Sequence, residues 1–454
     1  MVARLTEIYG EFAGGDVSHA LRPAALDVVR LGFTDCAGVI LAGLREDVVQ
    51  RLTGYVRGKG GHGEARLLFG EPRANAAQAA LVNATAAHAL DYDDYAFTNH
   101  PSAVLAPTVM AAAALVGASG QRMAAGYIVG YEVWADLMRR EPDHLHSKGW
   151  HPTAVFGPVA AAAAASTVMG LDARRATHAV ALAASFAGGV MENFGTMMKP
   201  YHGGRAAESG VTAAALAGVG LAASATAIEG ERGLLRALSP NGRVDLETPP
   251  PFGRSWRIET LRLNIKKYPT VGASQRSIDS VLTYTKANPL DPNRIVRVTP
   301  CVSAKHAAVM PFHRPRTALE AKFSLEFAVA SALRYGAVGL AQLADPVVGD
   351  PDLQALIAKV HVRAGETYDP DYPGAAPTDH VEITLDDGRT VTTPAIRRAR
   401  GHADHPLSGS ELRAKFDDCA AHGGIAPPAS GPLYDAMQRI DALDNADGVP
   451  VLTA

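Results

Sequence analysis

His100-Pro101-Ser102-Ala103-Val104-Leu105-Ala106-Pro107 runs into the alanines 111–114. Fifty-one residues later, His151-Pro152-Thr153-Ala154-Val155-Phe156-Gly157-Pro158 runs into the alanines 160–165. Proline is at home in the first turn of a helix and alanine is the best helix former, so each phrase predicts a helix that starts at its first proline. The start of a helix carries unpaired N–H groups and the positive end of the macrodipole, both of which favour anions. Two such entrances, each with a histidine and a hydroxyl, suggest one acid-binding pocket. A helix-start signal used twice explains the repetition equally well.

The same texture extends outward. Ser102–Gly120, Thr153–Leu171 and Ser209–Ile228 carry no formal charge over 19, 19 and 20 residues. Their length would permit membrane spanning. They are built of Ala, Gly, Ser and Thr rather than Leu, Ile and Phe, so little is gained in hydrocarbon, and they read as helices buried in a large helical domain. Helix-forming segments continue to about Leu238. Ser239–Arg254, with Pro240, Asn241-Gly242 and Pro249-Pro250-Pro251, reads as a linker. Beyond it strands are expected at Arg294–Thr299 and Lys359–Arg363, with a hairpin over Val381–Thr392 turning at Asp387-Gly388; helices are expected at about Ala273–Lys286 and Glu320–Tyr335. Ser408 and Glu411 are spaced as a capping box and return the chain to helix. The fold class is therefore mainly α: a large all-helical domain (1–262 with 405–454) and a smaller α+β domain (263–404).

Composition narrows the function. The 454 residues carry 43 Lys+Arg and 46 Asp+Glu, a net charge of −3, and no long basic or acidic block, so neither nucleic acid nor a membrane surface is an expected partner. Cys36, Cys301 and Cys419 are too scattered for a disulfide framework or a Cys-x-x-Cys metal site, which fits a cytoplasmic location. The first residues show no apolar signal core.

Three clusters could carry chemistry. In His88-Ala89-Leu90-Asp91-Tyr92-Asp93-Asp94-Tyr95, a helix running to about Asp93 would put His88 and Asp91 on one face. A carboxylate beside a histidine suits proton exchange near neutral pH, and a solvated acidic helix end is the plain alternative. The three aspartates lack the ligand spacing of an EF-hand or a histidine-rich metal site. In Asn193–Arg205, Lys199, His202 and Arg205 bring cationic donors to one loop suited to a carboxylate, without the phosphate-loop pattern. In Leu263-Asn264-Ile265-Lys266-Lys267-Tyr268-Pro269, a lysine at a domain junction can clamp a substrate or, desolvated, act as a base; a surface lysine pair is the plain reading. His144, His146 and Lys148 precede His151 and add candidates.

In this order the clusters resemble the MmgE/PrpD family, which includes 2-methylcitrate dehydratase, cis-aconitate decarboxylase and iminodisuccinate epimerase. The resemblance rests on His88-Ala89-Leu90-Asp91-Tyr92-Asp93-Asp94, His100-Pro101-Ser102, Gly149-Trp150-His151-Pro152-Thr153, Lys199-Pro200, Lys266-Lys267-Tyr268-Pro269 and Glu320-Ala321-Lys322-Phe323-Ser324. It implies a helical first domain completed by the C-terminus, a smaller α+β domain, an active site where the two meet, a homodimer, and no metal or organic cofactor. Asp91, His100, His151, Lys199 and Lys266 match residues of the family's pocket. There are departures: Ser274-Gln275 stands where a Thr-His pair is usual, Ala307–Pro315 offers no tyrosine where decarboxylases carry one, and Tyr95 replaces a threonine. These weigh against decarboxylation, and Asn193-Phe194-Gly195-Thr196 with the modest chain length looks closer to the epimerase branch, in which His146 stands at the position of a tyrosine proposed as the base.

The resulting expectation is a cofactor-independent epimerase or dehydratase that moves a proton beside a carboxylate of a small di- or tricarboxylate. Asp91, His100, His146 and Lys266 are its candidate catalytic groups. Tyr95, His151, Lys199, His202, Arg205, Lys267 and Gln275 are candidate substrate contacts. A cis-aconitate-type decarboxylase, a non-catalytic acid-binding protein and an isomerase or cyclase acting on a larger substrate are the alternatives.

Overall fold

In the computed structural model, which describes residues 4–70, 72–372 and 374–452, the alanine-rich segments form helices: α1 (Leu5–Gly14), α2 (Pro23–Gly43), α3 (Asp47–Lys59), α4 (Ala76–His88), α5 (Pro101–Val116), α6 (Gly120–Arg140), α7 (Pro152–Met169), α8 (Ala173–Ala184) and α9 (Met198–Gly218). Two short ones follow, α10 (Leu234–Leu238) and α11 (Arg257–Leu261). With a two-stranded ribbon, β1 (Ala65–Arg66) and β2 (Arg73–Ala74), they form a first unit. It comprises the chain up to Ala89, Asp93–Leu263, and the chain from Glu411 onward.

Each boundary has a local cause. Pro101 and Pro152 sit in the first turns of α5 and α7, directly after His100 and His151. Gly117 and Gly170 end the same helices in the left-handed conformation that glycine adopts without strain. Asn75 caps α4 by accepting from Gln78 N at 2.9 Å. α7 is buried from Pro152 to Val168. By length and composition it could cross a membrane, yet 94% of its apolar window lies inside the protein, so it is a core helix of this unit. Small side chains permit this density: at Gly204 of α9 an added Cβ would collide with Thr85 Oγ1 and Leu81 O of α4. The third uncharged stretch departs from expectation. α9 stops at Gly218, and Val219 beyond it is 84% exposed. Gly218-Val219-Gly220 punctuates the run where alanine content alone predicted continuation.

The second unit comprises Leu90–Tyr92 and Asn264–Ser410. Its helices are α12 (Gln275–Ala287), α13 (Ala304–Ala308), α14 (Ala318–Ala321), α15 (Leu325–Tyr335), α16 (Asp345–Val348) and α17 (Pro351–Ile357). Its sheet has the order β4-β3-β5-β6, from β3 (Ile295–Ser303), β4 (Arg363–Gly365), β5 (His380–Leu385) and β6 (Thr390–Thr392). β3 pairs parallel with β4 and antiparallel with β5, which pairs antiparallel with β6. Along β5, Val381, Ile383 and Leu385 are buried and alternate with half-buried His380, Glu382 and Thr384, the period-two pattern of a sheet with one face on the core. Val298 and Val302 join that core, as do Ile278 and Val281 of α12 and Phe327 and Val329 of α15.

Three details differ from the sequence reading. β3 runs on through Pro300 to Ser303. The strand expected at Lys359–Arg363 begins at Arg363, with Val360 making only an isolated bridge to Val298. The helix expected over Glu320–Tyr335 is broken after Ala321, because the Ser324 hydroxyl starts a new one by accepting from Phe327 N at 3.1 Å. After α18 (Gly409–Gly423) and α19 (Pro427–Met437), the first unit is closed by two C-terminal ion pairs, Lys415 to Asp35 at 2.6 Å and Arg30 to Asp441 at 2.8 Å.

Candidate active site

The first unit gathers its histidines at helix ends. α4 finishes at His88, earlier than the expected end near Asp93. The chain re-enters this unit at Asp93, whose carboxylate is fully buried. His88 has Asp93 as its carboxylate partner: its Nδ1 lies 3.0 Å from both Asp93 oxygens. His100, at the entrance to α5, places its Nδ1 2.9 Å from Asp93 Oδ2. Opposite, Lys199 projects from the first turn of α9 and donates from Nζ to His88 Nε2 at 3.0 Å. This contact assigns the tautomer of His88, with hydrogen on Nδ1 toward the carboxylate and the Nε2 lone pair toward the ammonium. The result is a buried relay, Asp93–His88–Lys199.

His151, at the entrance to α7, joins from the other side. Its ring lies 5.9 Å from His88, nearly parallel, and its Nδ1 is 3.2 Å from Nδ1 of His202. Phe194 meets the His151 ring edge-on at 5.0 Å and lies 5.3 Å from Lys199 Nζ, a cation–π contact. The entrance helices thus deliver their histidines to one place. Ser102 bonds Tyr127 Oη at 2.6 Å, whereas Thr153 Oγ1 is buried with no partner.

Burial sets the charges. It pushes His88 down to about 3 against the opposing pull of Asp93, and it holds His151 well below the usual imidazole range, with Lys199 adding to the effect. His202 is lowered to about 4 for the same two reasons. Burial alone would raise Asp93, but the His88 and His100 rings outweigh it and hold that carboxyl well below its ordinary value. Behind them, burial and the neighbouring Asp35 push the Asp94 carboxyl well above its ordinary value. At neutral pH Asp93 is therefore a carboxylate, and His88 and His202 are neutral imidazoles beside Lys199.

The second unit holds a lysine–aspartate pair of its own. Asp91 has a φ of 51°, a left-handed backbone unusual outside glycine. It accepts from Lys266 Nζ through both its carbonyl oxygen, at 2.6 Å, and its Oδ2, at 3.0 Å. Lys266 is 1% exposed, so this is a buried ion pair rather than a surface lysine. Gln275 spends its amide on its own loop, donating from Nε2 to Tyr268 O, Thr270 O and Thr270 Oγ1 and accepting from Tyr268 N. It organises the Lys-Lys-Tyr-Pro segment instead of offering a group to a ligand.

Other candidates are placed differently. Lys199, His202 and Arg205 lie within α9 rather than on a loop, and while the first two are buried, Arg205 turns to solvent and pairs with Glu208 at 2.6 Å. Lys267 is exposed with its ammonium over the Tyr268 ring. Tyr95 is half-buried in the turn after Asp94. His146 stacks on His144 at 4.9 Å and lies 6.3 Å from Phe194. Burial and His144 lower it to about 3, and its buried Nδ1 has no partner. From the His88–Tyr95 cluster the sequence reading kept Asp91 and Tyr95 but neither His88 nor Asp93 as final site candidates, and it gave Phe194 no role. The capped alanine run Asn75–His88 was the available signal that the helix ends at the histidine and leaves Asp93 free to turn back. Nitrogens of His88, His100 and His151 lie within 4.8 Å of one another, near enough for one metal ion, but there the Lys199 ammonium already takes the His88 Nε2 lone pair.

Residues 11–247 match the MmgE/PrpD N-terminal domain and residues 268–427 the MmgE/PrpD C-terminal domain, so the chain belongs to the MmgE/PrpD family. It is 28% identical to mouse cis-aconitate decarboxylase over 435 residues, covering 92% of this chain and 86% of that one. It is 29% identical to the human cis-aconitate decarboxylase over 366 residues, 77% and 74% of the two chains, and 26% identical to an Aspergillus terreus cis-aconitate decarboxylase over 339 residues, 69% of each. These relatives correct the leaning toward the epimerase branch. A four-residue motif and chain length weigh less than similarity sustained across both domains.

Proposed function

We propose that this protein is a decarboxylase of a small unsaturated tricarboxylate, cis-aconitate or a near analogue. The observation that carries the reading is the buried Asp93–His88–Lys199 relay, bordered by two helix entrances and by the unpartnered Thr153 Oγ1 and His146 Nδ1. A carboxylate arriving at the α7 entrance would offer acceptors to both. The named activity of the relatives supports the same chemistry.

In this reading Lys199 neutralises a carboxylate that stays on the substrate. The C–C bond to the departing carboxylate breaks, carbon dioxide leaves, and the electron pair spreads toward the retained carboxylate. Loss of a charged carboxylate as a neutral gas is favoured where water is excluded, and the neutral imidazoles make such surroundings. A proton then reaches the carbanion from Lys199, which is reprotonated through water. His88 and Asp93 keep the ammonium aimed and balanced. Lys266 is proposed as a fixed cation held by Asp91, since a lysine donating to a carboxylate and a carbonyl is poorly arranged to act as a base.

The departures at Ser274-Gln275 and across Ala307–Pro315 favour one second reading, dehydration of a hydroxy-tricarboxylate by the same proton-transfer groups. Proton NMR in deuterium oxide with a panel of di- and tricarboxylates, together with headspace carbon dioxide, separates them. Carbon dioxide with deuterium in the product supports decarboxylation, and an alkene without carbon dioxide supports dehydration. Binding without turnover overturns both.

A further inference from the structure

Away from this chemistry, on the half-buried face of the second unit's sheet, two strands bring together a thiol, an imidazole and a carboxylate. Cys301 of β3 is directly paired with His380 of β5, and Glu382 lies two residues along β5 on the same face. Neighbours across a sheet stand roughly 5 Å apart at Cβ, and the ligand atoms of the three lie within 4.8 Å of one another. On the other side of Cys301, its β4 partner is Arg363. That guanidinium donates to both Glu382 oxygens, at 2.7 and 2.9 Å, and to Cys301 Sγ at 3.5 Å.

We propose that Cys301, His380 and Glu382 form a binding site for a zinc-class divalent cation, with Arg363 as the displaceable cation that occupies the same electrostatic position in its absence. The donor set is specific in kind: sulfur, imidazole nitrogen and carboxylate oxygen are the three ligand types that zinc combines. Metal–donor bonds of about 2.0–2.3 Å require donors roughly 3.5 Å apart, a small side-chain rotation from the present spacing. Binding releases the thiol proton, since sulfur ligates as thiolate. The Arg363 side chain is 59% exposed, and an exposed ion pair contributes little, so its departure is easy. Cys36 and Cys419 are buried and belong to none of the candidate donor groups among the described residues, which makes a sulfur signature diagnostic of Cys301.

The test is titration of the full-length reduced protein with cobalt(II), read as near-ultraviolet sulfur-to-cobalt charge transfer and reversed with zinc. One equivalent with a charge-transfer band is expected. Cys301→Ser should abolish the band, His380→Ala should weaken binding at least about tenfold, and Arg363→Ala should strengthen it. Cobalt bound without the band, or a band that persists in Cys301→Ser, would overturn the proposal. So would Arg363→Ala weakening the metal. The active-site histidines hold no sulfur and cannot mimic the signal.

Discussion

Asp93 holds two imidazoles with one carboxylate, and the proposed relay depends on that. Replacing it by asparagine keeps the volume and removes the anion, which leaves the Lys199 ammonium as a buried charge without its counterpart. Breaking a buried pair in this way costs about 3–5 kcal/mol, and loss of a proton-relay member costs roughly 10²–10⁴-fold in rate. Asp93→Asn should therefore lower both the thermal midpoint and kcat; a variant active at the wild-type rate would remove the relay from the mechanism. Arg205→Ala is the contrasting case, because its exposed pair with Glu208 is worth under about 1 kcal/mol. Wild-type turnover is expected there, checked by the same kinetics. A pH test follows from His202, which is lowered to about 4 when folded against roughly 6.5 unfolded. Between those values the unfolded chain binds a proton that the folded chain does not, so His202's contribution is full above about 6.5 and fades as pH falls. The stability advantage of wild type over His202→Gln should shrink by on the order of 2–3 kcal/mol from pH 7 to pH 4 in denaturant titrations. An advantage that grows on acidification would show His202 to be held in its charged form.

Among elements, the approach of α9 to α4 decides whether Lys199 reaches His88. Gly204 faces Thr85 and Leu81 with no room for a methyl group, whereas a Cβ on Gly203 would meet His88 at an ordinary 3.6 Å. Gly204→Ala should destabilise by about 1–3 kcal/mol through overpacking and lower kcat by withdrawing Lys199. Gly203→Ala should be close to neutral in both, and the pair measured together separates helix spacing from simple glycine loss. The helix starts were legible because proline and alanine act locally: the two repeated phrases could be read as α5 and α7 from their residues alone. The end of α4 was not, since nothing within His88–Asp94 states that Asp93 turns back while Asp91 adopts a positive φ. That geometry depends on Lys266, 175 residues away in the chain. The break at Ser324 was hidden for a related reason, as a capping serine inside a helix-forming run reads as an ordinary helix residue.

At the scale of the whole chain, the mainly helical class with a small mixed sheet followed from where strand alternation begins. The thinning of alanine and glycine after Arg254 marks that change. Which candidates converge was only partly visible. Lys199 and His202 are three residues apart on one helix face and stand together, but Arg205, three further on, has rotated to solvent, and the sequence treated all three as one loop. Gln275 looked like a substituted catalytic group because the resemblance placed it so; its amide proves to be committed to residues 268–270. The family was readable from six motifs in register, whereas the branch was not, since a short motif says little about which acid fits. The central claim is that a buried ammonium aimed by His88 and Asp93 drives chemistry on a small polycarboxylate. Its most direct test is carbon dioxide release from cis-aconitate by wild type and by Lys199→Met, each checked for a native circular dichroism spectrum. Steady release by wild type and a loss of at least about 100-fold in the folded variant is the predicted result; equal rates in the two proteins would contradict it.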